Sequence, residues 1–183
     1  MSSSVTRSPQ PADPRTPRHL VVMGVSAAGK TTVAREINAV LGWEFAEGDD
    51  FHPQANVDKM ASGVPLTDED RWPWLRALAA WTAQHAAAGR STIVSCSALR
   101  RAYRDVLREG GAGTYFVHLT GDRELLVRRM SGRTDHFMPV ELLDSQLETL
   151  EPLQPDEPGA TFDVAPTPQR IAAAVLRELD LPR

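Results

Sequence analysis

The stretch Gly24-Val25-Ser26-Ala27-Ala28-Gly29-Lys30-Thr31 decides how this chain is read. It follows the pattern G-x-x-x-x-G-K-[ST], a loop that wraps a phosphate in backbone N–H groups. The pattern needs a strand ahead of it and a helix behind it, and the flanks predict both. His19 to Met23 is an apolar run of strand length, and Thr32 to Leu41 places Val33, Ile37, Val40 and Leu41 on one helical face. With average residue usage the bare pattern arises by accident in on the order of one chain per hundred of this length. The alternative is an ordinary strand-to-helix turn rich in small residues. In the phosphate-binding reading, the helix also points its N-terminus at the anion. Lys30 then reaches the β- and γ-phosphates, and the Thr31 hydroxyl is a Mg²⁺ ligand. Gly24 and Gly29 allow close backbone approach, whereas Ala27 and Ala28 stand where many such loops carry another glycine.

At 183 residues the chain reads as one domain. A chain of this size can bury roughly 70% of its unfolded surface, enough for a real core. The 20 basic and 24 acidic residues leave a net charge of −4, which offers no general attraction to nucleic acid or to an anionic membrane. One cysteine, Cys96, excludes an internal disulfide and a cysteine-based zinc site, and suits a reducing, cytoplasmic setting. No apolar run approaches bilayer-spanning length, and no apolar signal region opens the sequence. Residues 1–18, with Pro9, Pro11, Pro14 and Pro17 among polar neighbours, are expected to form a disordered tail. That leaves 19–183 as the folded domain.

Further along, Trp43 to Ala46 predicts a second strand running into Glu47-Gly48-Asp49-Asp50-Phe51-His52-Pro53. Ligands gather outside the carboxyl ends of strands in open α/β sheets, so Glu47, Asp49, Asp50 and His52 sit where chemistry is expected. A polar turn with a helix cap is the competing account. Trp74, Leu78, Trp81 and His85 recur at helical spacing, the tryptophans as core rather than as a ligand cage and His85 as a helix-face histidine. Ser91 to Cys96 predicts a third strand, in which Cys96 is packing rather than a nucleophile. Ser97 to Arg108 predicts a helix carrying Arg100, Arg101, Arg104 and Arg108. A solvated charged face accounts for most such runs, and Arg100 is the candidate for facing an anion. Thr114 to Leu119 is a fourth strand, followed by a helix ending in Arg128, Arg129 and Arg133. The span of about 129–140 reads as a lid that closes over phosphates, or as a plain helical hairpin with a basic end. Ala160 to Ala165 and a helix from Pro168 complete an alternating pattern, which means an α/β fold with a largely parallel sheet. No apolar strand ends in Asp at the usual second nucleotide motif, so the acids after strand two must take that role. This arrangement belongs to small-metabolite kinases.

Taken together, the residues resemble the gluconokinase family, within the shikimate- and nucleoside-monophosphate-kinase-like P-loop enzymes. The resemblance rests on Glu47 to Pro53, Asn56 with Lys59 and Met60, Gly63 to Arg71 with Pro73-Trp74-Leu75, and Cys96 to Asp105. His136-Phe137-Met138, Gln146 and Leu150-Glu151-Pro152 complete it. It implies a three-layer α/β/α fold with a five-stranded parallel sheet in the order 2-3-1-4-5 and a helical lid. It also implies transfer of phosphate from ATP, with Mg²⁺, to D-gluconate, and an assembly that is often a homodimer. The nucleotide-binding set becomes Gly24, Val25, Ser26, Ala27, Ala28, Gly29, Lys30, Thr31 and Thr32. Arg129 is added on the adenine and Arg133 on the phosphates. Glu47 joins Thr31 in holding the metal, and Glu stands where the family often has Asp. Asp49 matches the acid that takes or orients the proton of the acceptor hydroxyl, so Lys30, Asp49 and Arg133 form the catalytic set. Asp49, His52, Lys59, Arg71 and Arg100 are the candidates for gluconate. Shikimate kinase, adenylylsulfate kinase and a catalytically silent nucleotide-binding module remain the alternatives.

Overall fold

The computed structural model describes residues 16–132 and 140–182. Most of the expected tail, most of the expected lid and Arg133 therefore lie outside the described residues.

Five strands form one parallel sheet. They are β1 (His19–Met23), β2 (Glu44–Glu47), β3 (Thr92–Ser95), β4 (Thr114–Thr120) and β5 (Gly159–Asp163), in the order β2-β3-β1-β4-β5. The central strand β1 is buried along its whole length, which is why it reads as an unbroken apolar run rather than an alternating one. Its pleat sends Leu20 and Val22 into one core and Val21 and Met23 into the other.

On the first side the core is closed by α1 (Lys30–Leu41), α5 (Arg123–Ser131), α6 (Val140–Thr149) and α7 (Pro168–Glu178), through Val33, Ile37, Leu126, Leu143, Ile171 and Val175. On the second side α3 (Asp68–Ala87) and α4 (Arg101–Arg108) contribute Trp74, Leu75, Leu78, Tyr103 and Leu107. Helices on both faces of a parallel sheet give the three layers that the alternating pattern implied. Along α1, Val40 is 44% exposed and the buried row is Val33, Ala34 and Ile37, one position off the expected stripe. The small helix α2 (Gln54–Ala61) buries only Asn56.

The expected helix from Ser97 starts four residues later, at Arg101. Two hydrogen-bonding tasks hold Ser97 to Arg100 out of the helix. The Ser97 carbonyl accepts from the Gly24 amide at 3.3 Å, and the carbonyls of Ala98 and Leu99 accept from Arg104 at 3.0 and 3.3 Å. Ala98 adopts a left-handed φ of 46° to turn the chain. Arg104 is thus no part of a solvated face. It is fully buried, paired with an equally buried Glu157 at 2.6 and 3.0 Å. Burial alone would raise the Glu157 carboxyl, but the hydrogen bonds from Arg104 and the Gln154 amide outweigh it and hold the group below the usual glutamate range.

Candidate active site

The loop after β1 takes the shape the motif requires. Gly24 has φ 146°, and a Cβ there would stand 2.6 Å from the Leu119 carbonyl oxygen, so only glycine fits. Ala27 is left-handed at φ 64°, with its methyl buried, and Gly29 caps α1 at φ 85°. Val33 is the residue that donates back to the Gly29 carbonyl, at 3.0 Å. The amides of Lys30, Thr31 and Thr32 precede it and have no acceptor within the helix, so they point out of its N-terminus. The Lys30 ammonium donates to the Val25 carbonyl at 3.1 Å and so folds back across the loop.

Strand β2 delivers the acids. The Thr31 hydroxyl donates to Glu47 Oε2 at 2.8 Å, joining the two residues expected at the metal. The other Glu47 oxygen accepts from the Ser95 hydroxyl, its partner across the β2–β3 ladder. No role had been read for Ser95, because its nearness to Glu47 follows from the order of the strands and from nothing local. Gly48 comes next; a side chain there would strike the Ser95 carbonyl, and its own carbonyl accepts from Trp74 Nε1 at 2.7 Å. The turn that presents Asp49 is thereby pinned to β3 and to α3. Asp49 itself is open, its side chain 83% exposed, with His52 Nε2 at 3.9 Å. The charges of Asp49, Lys30 and Glu47 are all felt at Cys96, whose thiol burial pushes up to about 12. Cys96 is packing, as expected.

A second cluster borders the first. His52 lies flat on Trp74, ring centroids 4.1 Å apart. Burial pushes its pKa down, Asp49 pulls it back up, and Arg71 lowers it further, with the net result below 6.5. Asp68 gathers Tyr103, whose hydroxyl donates at 2.5 Å, Arg100 at 3.3 Å and Arg71 at 3.6 Å. Arg71 also donates to the Tyr103 oxygen at 3.3 Å. Of the five candidates for the acceptor, Asp49, His52, Arg71 and Arg100 come together here. Lys59 is engaged differently. It pairs at 2.6 Å with Asp70, the carboxylate that completes the capping box of α3 with Thr67, and this bond helps hold Asp70 down at about 2. Arg129 reaches the Val164 carbonyl just past β5 at 2.6 Å. Asp68 and Tyr103 were not singled out in advance. Both lie inside stretches that carried the resemblance, but their meeting depends on α3 lying beside α4.

Thr31 and Glu47 offer oxygen donors only, the chemistry Mg²⁺ takes when most of its shell is water and phosphate. No cluster of three or more His, Cys, Asp or Glu able to hold a metal occurs among the described residues.

Comparison with known proteins follows the same lines. Residues 20–153 match the AAA domain family. A gluconokinase of Gluconobacter oxydans is 51% identical over 142 residues, spanning 78% of this chain and 80% of that one. The chain belongs to the gluconokinase family. Among solved structures, a gluconokinase from Sinorhizobium meliloti superposes with a TM-score of 0.78 at 46% identity, over 90% of this chain and 94% of that one. An unliganded sugar kinase from a Janibacter species reaches 0.85 at 54% identity, over 90% and 95%. The gluconokinase fold, with its parallel sheet in the order 2-3-1-4-5, is therefore the fold of this chain. ATP use goes with this family of P-loop kinases.

Proposed function

We propose that the chain transfers the γ-phosphoryl group of ATP to the 6-hydroxyl of D-gluconate, giving ADP and 6-phospho-D-gluconate. One observation carries the reading: in a chain half identical to a gluconokinase, the Thr31–Glu47 pair and the open Asp49 carboxylate stand side by side at the strand ends. In this reading the loop amides and Lys30 hold the phosphates and offset the charge that grows on them, which lowers the barrier by preorganised electrostatics. Thr31 and Glu47 hold Mg²⁺, which supplies charge neutralisation on the phosphate oxygens when bound. Asp49 accepts the proton from the acceptor hydroxyl, and its exposure leaves room for the sugar acid to approach. Arg71 and Arg100 face the gluconate carboxylate; Asp68 and Tyr103 hold both guanidinium groups in place meanwhile. His52, neutral at pH 7 and fixed on Trp74, hydrogen-bonds a sugar hydroxyl. Lys59 acts at one remove by bracing α3. Arg129 sits at the adenine. Arg133 on the phosphates, a cytoplasmic setting and a homodimer belong to the same reading. No described helix is long and apolar enough to cross a membrane.

The test is ADP release with ATP and Mg²⁺, comparing D-gluconate, shikimate, other aldonates and no acceptor. Release that depends on gluconate supports the proposal. Equal release with every acid, or release with shikimate alone, overturns the substrate. ATP binding without turnover on any acceptor points to the regulatory module instead.

A further inference from the structure

We infer that Gln146 of α6 is a positioning residue for Lys30, acting through a single peptide plane of the phosphate-binding loop. The inference rests on the ATP-binding reading of that loop and says nothing of the acceptor. The plane is the one joining Val25 to Ser26. Its N–H donates to Gln146 Oε1 at 2.6 Å, across 120 residues of sequence. Its carbonyl, on the opposite edge, accepts from the Lys30 ammonium at 3.1 Å and from the Ala28 amide at 3.3 Å. A peptide plane is rigid, so the two edges turn together. Whatever fixes the Ser26 N–H fixes the direction of the carbonyl that holds Lys30.

The plane needs such a hold. Ala27, one residue beyond it, sits at φ 64°, a strained conformation for alanine that persists only where the surrounding structure over-determines it. Gln146 can brace it because its own helix is fixed at several points. Leu143 is fully buried, Asp144 takes two hydrogen bonds from Arg123 at 2.7 and 2.9 Å, and the Glu151 amide just beyond α6 donates to the Leu99 carbonyl at 2.8 Å. The donor is a backbone N–H, so the atom facing it must be the oxygen of the Gln146 amide.

The experiment compares Gln146→Met, which keeps length and packing but removes the acceptor, with Gln146→Glu, which keeps an acceptor oxygen. In the nucleotide-free full chain, the Ser26 amide proton resonance is expected to move upfield in the methionine variant and to stay in place or move further downfield in the glutamate variant, whose charged acceptor strengthens the bond. In Gln146→Met the KM for ATP is expected to rise about two- to tenfold, the range of one neutral hydrogen bond. The KM for the acceptor and the melting temperature should remain those of the wild type. An unmoved Ser26 resonance with an unchanged ATP KM overturns the inference. So does equal loss on both substrates together with a lower melting temperature, which is the mark of packing alone. If Gln146→Met does not fold, an upfield-displaced Ser26 resonance in Gln146→Glu overturns it equally. The resonance reads Gln146 without nucleotide or acceptor, so a wrong sugar acid would leave this result standing.

Discussion

Asp49 and Lys30 do different work in the proposed reaction, and single substitutions should separate them. Asp49→Asn keeps the shape and loses the base. Its kcat is expected to fall by about 10²–10⁴, with ADP affinity by calorimetry unchanged; full activity would remove Asp49 from the reaction. Lys30→Ala removes the ammonium that folds over the loop. Gluconate-dependent ADP release is expected to drop by on the order of 10³ or more, and residual turnover within tenfold of wild type would argue against the role. Much of this site was legible in the sequence, because a phosphate-binding loop is a local object. Eight consecutive residues specify its turn, its glycines and its lysine. The acids after β2 were legible for a related reason, since a strand end in an α/β sheet is a known place for ligands. Ser95 and Gln146 were not legible as contacts. Each meets its partner only through the strand order or the packing of a helix 120 residues away.

At the scale of elements, the segment Ser97–Arg100 matters more than its length suggests. It links the loop after β1 to α4, and it is shaped by the buried Arg104–Glu157 pair. The sequence shows four arginines at near-regular spacing and nothing that marks one of them as internal. Its burial follows from the loop 151–158 folding back over α4, a tertiary event without a local signal. Removing one partner of such a pair strands the other charge, at a cost of about 3–5 kcal/mol. Arg104→Met is therefore expected to lower the unfolding free energy by about that much, measured by urea titration. Arg101, only partly buried and paired with Asp156 at 2.6 Å, should be near neutral on the same assay. Equal effects at both positions would contradict the burial argument. The helix boundary at Arg101 has the same origin as the buried arginine, which is why both were missed together.

For the molecule as a whole, the buried histidines set how stability responds to acid. His19, His52 and His118 are each pushed below 6.5, mainly by burial, with His85, Arg71 and Arg104 adding to the effect. Neither ring nitrogen of His118 has a hydrogen-bond partner among the described residues. As pH falls through 6.5 the unfolded chain takes up these protons and the folded chain does not. Stability present above that pH is thus lost progressively below it. The urea midpoint is expected to fall from about pH 7 to about pH 5, with His118→Leu flattening the slope; a level profile would show that the three rings titrate normally when folded. The strand order has a consequence of another kind. The central strand β1 has no neighbour close in sequence: its partner Thr92 follows His19 by 73 residues, and Thr114 comes later still. During synthesis at about 5–20 residues per second, the five-residue run His19–Met23 waits roughly 4–15 seconds for its first partner to be made. The most apolar strand of the sheet is therefore the one longest without a strand partner on the ribosome, its other face exposed until α3 and α4 are made.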